Sequence, residues 1–326
     1  MRSVQSGKKA ILAALLAVVF FSSGNLFAAD RAMKIAIVAP SAKNDMAFTQ
    51  SIVEAIDAIK ATRELEVAIT DGTFVVEDAA AAIRDYAQKG YDLVIAHGSQ
   101  YGGSLKEIAK DFPKTAFAWG TAADTFDMAN ISAYEARSEQ GGYVMGKMAA
   151  AMSTSGAIGI IGPIEVGDAK LYVDGFVAGA KAQNPKSRVN INYIGSFSDV
   201  ALAAEAARAH LAAGADVLTG TAQMVVGAIG VARAKSIPWF GTQANQTALA
   251  PEIVVASQVY KWQVVLEQIL ADIDRGILGG KKYAIDLANG GLAIEFNEAY
   301  PLPDEIKAIG AEAIATIQKG ATTSSE

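Results

Sequence analysis

Aromatic and amide side chains recur where the apolar runs of this chain stop. Residues 34–40 (KIAIVAP) are followed by Ser41, Asn44, Asp45, Phe48, Thr49 and Gln50. Residues 93–96 are followed by His97, Ser99, Gln100 and Tyr101, and residues 116–119 end in Trp119. In the second half Phe197 follows 189–194, Thr221 and Gln223 follow 216–218, and Thr242, Gln243 and Asn245 follow Phe240. Few of these residues are charged. Such a set suits a flat, neutral ligand that forms hydrogen bonds along its edge. A ring held between two aromatic faces gains buried area plus about 0.5–1.5 kcal/mol of stacking. Amides then select its edge, because an unmatched buried polar atom costs roughly 1–3 kcal/mol.

Residues for covalent chemistry are sparse. The chain has no Cys and two His, His97 and His210. It contains no HExxH, GxSxG or GxxxxGK[ST] pattern. A zinc site is not expected from two distant histidines, and no cofactor is implied. His97 ends a strand, at the edge where α/β sheets hold ligands. His210 reads as a partly exposed residue of an Ala-rich helix. A nucleoside hydrolase would need acids converging on a sugar, and Asp45 and Glu165 are the candidates. The reading is a binding protein rather than an enzyme.

The elements that must position these loops alternate along the chain. A short β-branched apolar run at 34–40 and short runs at 66–70, 93–96, 116–119 and 131–134 read as strands of a parallel sheet. Between them lie helical spacings at 47–63 and 79–88 and a helix from Ser104. The order restarts with a helix at 140–152, then strands at 157–161, 189–194, 216–218, 238–240 and 254–257, alternating with helices at 170–183, 199–213, 225–234 and 260–275. Asn289-Gly290-Gly291 within 287–294 predicts a hairpin, and 303–318 a last helix. The fold class is α/β, with two doubly wound parallel-sheet lobes joined by a hinge of short crossovers. The expected lobes are 30–135 plus about 257–298, and 136–256 plus about 299–326. In such sheets the strand-end loops face one crevice.

The N-terminus reads as an export address. Arg2, Lys8 and Lys9 precede the apolar run 10–21, and small residues follow, ending in Ala28 and Ala29. This order is that of a secretory signal peptide covering 1–29, cut after Ala28 or Ala29. The run is shorter than the ~20 residues of a membrane span. A periplasmic location is expected. Of the 326 residues 52% are hydrophobic and 19% charged, a globular composition long enough for two cores. Losing three cations would take the formal charge from −6 to about −9. That excess of negative charge argues against binding nucleic acid or anionic lipid.

Several segments resemble the basic membrane protein family of ABC-transporter substrate-binding proteins, which includes purine nucleoside receptors. They are 44–51 (NDMAFTQS), 134–146 (YEARSEQGGYVMG), 156–162 (GAIGIIG), 174–180 (DGFVAGA), 196–199 (SFSD), 214–218 (GADVL) and 289–291 (NGG). They lie in the family's order across nearly the whole mature chain. The resemblance implies a type I periplasmic-binding-protein fold with three crossovers and a ligand clamped between lobes. It implies a monomer working with an ABC permease. It also implies that Phe48 stacks on a purine, that Phe197 forms the opposite wall, that Asp45 belongs to the first binding loop, and that Lys261 reaches a sugar. Three positions depart from the family's pattern. Thr49 replaces an Asn, Gln243 replaces an Asp that holds sugar hydroxyls, and Gln223 replaces a Gly. An amide accepts hydroxyl hydrogen bonds less strongly than a carboxylate. A free base is therefore expected at least as readily as a nucleoside. The remaining expected ligand contacts are Gln100, Tyr101, Trp119 and Thr221. A sensory receptor is the alternative use of the same cleft.

Overall fold

Apolar runs too short for helices form the buried strands, and the 3.6-period runs between them pack across the sheet faces. The structure is a computed structural model that describes residues 31–320. The expected leader and its cleavage site lie outside the described residues. The first half runs β1 (Met33–Val38), α1 (Phe48–Lys60), β2 (Leu65–Thr70), α2 (Val76–Gln88), β3 (Leu93–His97), α3 (Gly102–Asp111), β4 (Ala116–Gly120) and β5 (Ile131–Ala136). The second runs α4 (Ser138–Met152), β6 (Ala157–Gly162), α5 (Gly167–Gln183), β7 (Arg188–Tyr193), α6 (Val200–Ala212), β8 (Val217–Gly220), α7 (Val225–Ala234), β9 (Trp239–Gln243) and β10 (Val254–Tyr260). Then come α8 (Gln263–Asp274), β11 (Lys282–Ile285), β12 (Leu292–Phe296) and α9 (Asp304–Gln318).

The strands form two six-stranded sheets with matching order. One is β11-β5-β4-β3-β1-β2 and the other β12-β10-β9-β8-β6-β7. Every pairing is parallel except β12 against β10. In each sheet the order reverses beside the first strand, β1 or β6, which makes that strand's C-terminal end a switch point where ligands collect. The chain crosses between sheets after β5, after β10 and again between β11 and β12. The three crossings follow the type I periplasmic-binding-protein plan.

Two expectations near the C-terminus are corrected. Asn289-Gly290-Gly291 does not close a hairpin. β11 pairs with β5, and β12 pairs with β10 of the other sheet. The Asn289 side chain accepts from Asp286 N and Gly291 N, so the turn chemistry is as local signals predict. Its use is different, because it carries the chain from one sheet to the other. For the same reason β12, expected with the first lobe, belongs to the second sheet, and β10 extends there to Tyr260. His210 is also not exposed. It is 2% accessible, and its Nε2 donates to the Ile160 carbonyl.

Helices α4 and α5 lie unusually close. A Cβ on Gly179 would stand 2.0 Å from the Tyr143 carbonyl oxygen, and one on Gly146 2.1 Å from that of Phe176. Each helix thus approaches the other's backbone over a glycine. This contact fixes the start of α5 against the start of α4, where Ser138 Oγ donates to the Asp168 carbonyl at 2.6 Å. Gly179→Ala is expected to cost roughly 1–3 kcal/mol or more, since a helix must shift to admit the methyl. Urea denaturation checks this. Gly214→Ala, a left-handed turn glycine with open space around it, separates the backbone effect from the steric one.

Candidate functional site

The C-terminal strand ends of both sheets open on one cleft of about 420 Å³, counting the space at its mouth that is open to solvent. The first sheet contributes Pro40, Phe48, Phe74, Ser99, Gln100 and Thr121. The second contributes Val166, Asp168, Ala169, Phe197, Ala222, Gln223 and Gln243.

Phe48 opens α1 and is held from behind. Its ring stacks on His97 with centroids 4.0 Å apart and planes 12° apart. A carbonyl can only accept, so the 3.2 Å contact from His97 Nε2 to Phe48 O places the proton on Nε2. Nδ1 then accepts from the Tyr134 hydroxyl at 2.7 Å. Burial pushes the His97 pKa down to about 3, the hydrogen bond to Phe48 opposing it, so the ring is neutral. Trp262 stands edge-on to His97, Tyr134 and Tyr260. Its Nε1 donates to Ser51 Oγ, which donates to the same Phe48 carbonyl. Phe48 is thus a wall whose ring and backbone are both fixed before any ligand arrives. At the mouth, Phe74 from the first half meets Phe197 from the second, with centroids 6.4 Å apart.

Asp168 is the one ionisable side chain lining the cleft among the described residues. It sits in the first turn of α5 and is 9% exposed. Thr121 Oγ1 donates to Oδ1 at 3.0 Å. Tyr260 and Gln243 Nε2 donate to Oδ2 at 3.1 and 3.5 Å. Burial pushes its carboxyl up, and these hydrogen bonds oppose the shift. The Tyr260 hydroxyl is held well above its ordinary range, by burial and then by the charge of Asp168. Gln243 Oε1 and Thr221 Oγ1 are buried without a hydrogen-bond partner. Two lining residues, Ala222 (φ 74°) and Gln243 (φ 75°), hold left-handed backbone that non-glycine residues rarely adopt. Such strain, about 1–3 kcal/mol each, clusters where side chains are aimed at ligands.

Of the side chains named from sequence, the cleft brings together Phe48, Gln100, Phe197, Gln223 and Gln243. It does not bring together Asp45, Thr49, Tyr101, Trp119, Thr221 or Lys261. Asp45 is saturated within its own loop, accepting from the backbone N–H groups of Ala47, Thr49 and Gln50 and from Ser41 Oγ. A carboxylate offers about four acceptor positions, and all are used to start α1. Thr49 bonds Ser41 and is fully buried. The Tyr101 hydroxyl donates to the Thr73 carbonyl inside the first half. Trp119 stacks on Phe126 and donates to the Gly98 carbonyl. Thr221 is buried beside Ala222 without lining the cavity. Lys261 is exposed and pairs with Glu295 at 3.5 Å. Glu165 faces Lys170 on the surface.

Sequence reasoning missed Phe74 and Asp168, and it reached Thr121 only as a residue at the end of the 116–119 run, not as a contact. The loops after β2 and β6 carried the same signal as the others, an aromatic or acidic residue just past an apolar run. Within the β6 loop only the register of α5's first turn distinguishes Asp168 from Glu165. No group of three His, Asp or Glu able to hold a metal occurs among the described residues.

Comparison with known proteins agrees with this architecture. The family model described as ABC transporter substrate-binding protein PnrA-like matches residues 32–320. A purine-binding protein of Brucella abortus (strain 2308) is 27% identical over 93% of this chain and 86% of its own length. The transcriptional activator protein med of Bacillus subtilis (strain 168) is 26% identical over 83% of this chain and 84% of its own. A solved ABC transporter solute-binding protein from Conexibacter woesei DSM 14684 superposes with a TM-score of 0.73 at 26% identity, over 89% of this chain and 97% of that one.

Proposed function

This chain belongs to the PnrA-like family of ABC transporter substrate-binding proteins, and from that premise we propose that it captures a purine in the cleft between its two sheets and delivers it to an ABC importer. The observation that carries the reading is the Phe48 wall, a ring pre-stacked on neutral His97 and facing a cleft closed by Phe197 and edged by amides. Stacking on a fixed ring avoids the entropy of ordering it at the moment of binding. The purine-binding relative from Brucella abortus supports the ligand class. The export address supports action outside the cytoplasmic membrane. Closure of the two halves over the ligand, with the closed form read by the permease, is the transport step.

A free base fits the cleft better than a nucleoside. Where the family's pattern has a sugar-holding Asp, this chain has Gln243, whose Nε2 faces Asp168. Gln223 adds side-chain volume inside the cleft. Lys261, the expected sugar contact, is turned to Glu295 on the surface. Isothermal titration with adenine, guanine and hypoxanthine against adenosine, guanosine and inosine tests this. Bases are expected to bind at least ten-fold more tightly than their ribosides, a difference of about 1.4 kcal/mol. Tight binding of ribosides alone refutes the base preference, and no binding of either set refutes the purine reading.

A further inference from the structure

We propose that Asp168 and Gln243 together set the specificity of the cleft by each accepting one of two neighbouring N–H groups, so that a guanine-type edge is preferred over an edge with a single donor. This rests on the purine reading above and names the member of that class the site selects. The observations are the capacity and surroundings of the two side chains.

Asp168 has three hydrogen-bond donors and no cationic partner among the described residues. A buried carboxylate compensated only by neutral donors is a poor stabilising device. The backbone N–H of Asp168 itself adds a contact to these three, so the position a ligand would take is the one the Gln243 amide holds. The contact from Gln243 is 3.5 Å, at the outer limit of a hydrogen bond, so an incoming N–H can displace it at little cost. The orientation of Gln243 is chemically determined, because its Nε2 must face the carboxylate and an amide oxygen there would be repelled. Its Oε1 is therefore left as a second acceptor, buried and without a partner. A left-handed backbone at Gln243 holds this arrangement. Two acceptors on adjoining side chains, one of them anionic, match two adjoining N–H donors. The N1–H and N2–H groups of guanine are such a pair, and hypoxanthine lacks the second. Charge-assisted bonds of this kind are roughly twice as strong as neutral ones.

Competition calorimetry with guanine and hypoxanthine, on wild-type protein and Asp168→Asn, tests the assignment. Wild-type protein is expected to favour guanine by roughly ten-fold or more, and Asp168→Asn to bring the two ligands within about three-fold. The variant's thermal midpoint at neutral pH is expected to be no lower than that of wild type, since a buried charge is removed. A second measurement needs no variant. Of the groups bonded to the carboxylate, Thr121 and Gln243 do not titrate and Tyr260 stays neutral. The guanine preference of wild-type protein is thus expected to shrink as pH falls and Asp168, whose carboxyl burial pushes up, takes up a proton. A guanine preference that is absent in wild-type protein, unchanged in Asp168→Asn, or larger at low pH overturns this assignment alone. Failure to bind any purine overturns the reading beneath it as well.

Discussion

Phe48→Ala is expected to weaken purine binding by roughly 2–4 kcal/mol, a loss of about thirty- to a thousand-fold in affinity. The ring is 8% exposed and already carries His97 on one face. Its removal takes away the surface that a base would cover and leaves the His97 face open to the cleft. Stability will fall too, because truncating a buried aromatic costs a few kcal/mol. The two effects separate cleanly. Phe48→Leu keeps most of the volume and loses the ring, so its affinity should drop by only the stacking share, about 0.5–1.5 kcal/mol. Calorimetry on both variants, run well below their melting temperatures, gives the comparison. If Phe48→Ala binds as tightly as wild type, the ring is not a ligand wall and the proposed mode of capture is wrong.

Acid is expected to destabilise the fold through His97. In the unfolded chain this histidine titrates near 6.5, and in the folded one burial lowers it to about 3. The unfolded state therefore binds the proton first. The stabilisation is fully present above about pH 6.5 and is lost as pH falls toward about 3, at up to about 1.4 kcal/mol per pH unit. The whole window represents several kcal/mol, on the order of half a typical domain's stability. His210 adds a smaller contribution of the same sign, its pKa being lowered by burial. Asp168 contributes the opposite sign. Its raised pKa favours the folded state at low pH, and that contribution is lost as pH rises through its folded value. His97→Gln can donate to the Phe48 carbonyl and accept from Tyr134 without titrating. Urea denaturation at a series of pH values should give this variant a flatter slope below pH 6.5 than wild type. Equal slopes would mean that His97 is not the group taking up the proton.

The two predictions share a cause. The burial that keeps His97 neutral places its Nε2 on the Phe48 carbonyl, and Ser51 and Trp262 bind the same oxygen's neighbourhood from α1 and the start of α8. The wall of the cleft is therefore built from the core of the first half rather than from a loop alone. A ligand surface fixed in this way loses little entropy on binding, but it makes acid stability depend on the residue that supports the site.

How much of this was legible beforehand differs by level. The alternation of strands and helices was readable because a parallel strand covered on both faces is a short unbroken apolar run. β3, LVIAH, is fully buried along its length, and its apolar part 93–96 is legible as a strand, one residue short of its end at His97. The α/β class and the family resemblance follow from such runs and from segments quoted in order. Loop membership was readable for the same reason: residues just past a buried strand must emerge at a sheet edge, which is how Phe48, Gln100, Phe197, Gln223 and Gln243 were named. Direction was not. Tyr101 and Trp119 leave the same edge and turn back into their own half, to Thr73 and Phe126. Asp45 is consumed by the helix it starts, and only its bonds reveal that no acceptor is left over.

The chain by itself determined which segments would be strands, which would be helices, and which loops would meet at one edge, because burial and periodicity are local properties written in residue order. Only the tertiary structure decided which side chains face the cleft, that Asn289-Gly290-Gly291 joins two sheets instead of two paired strands, and that Asp168 rather than Glu165 is the acid within it. These outcomes depend on the pairing of distant strands and on the close approach of α4 to α5, where the first turn of α5 carries the Asp168 carboxylate into the cleft while Glu165, just before the helix, faces Lys170 at the surface.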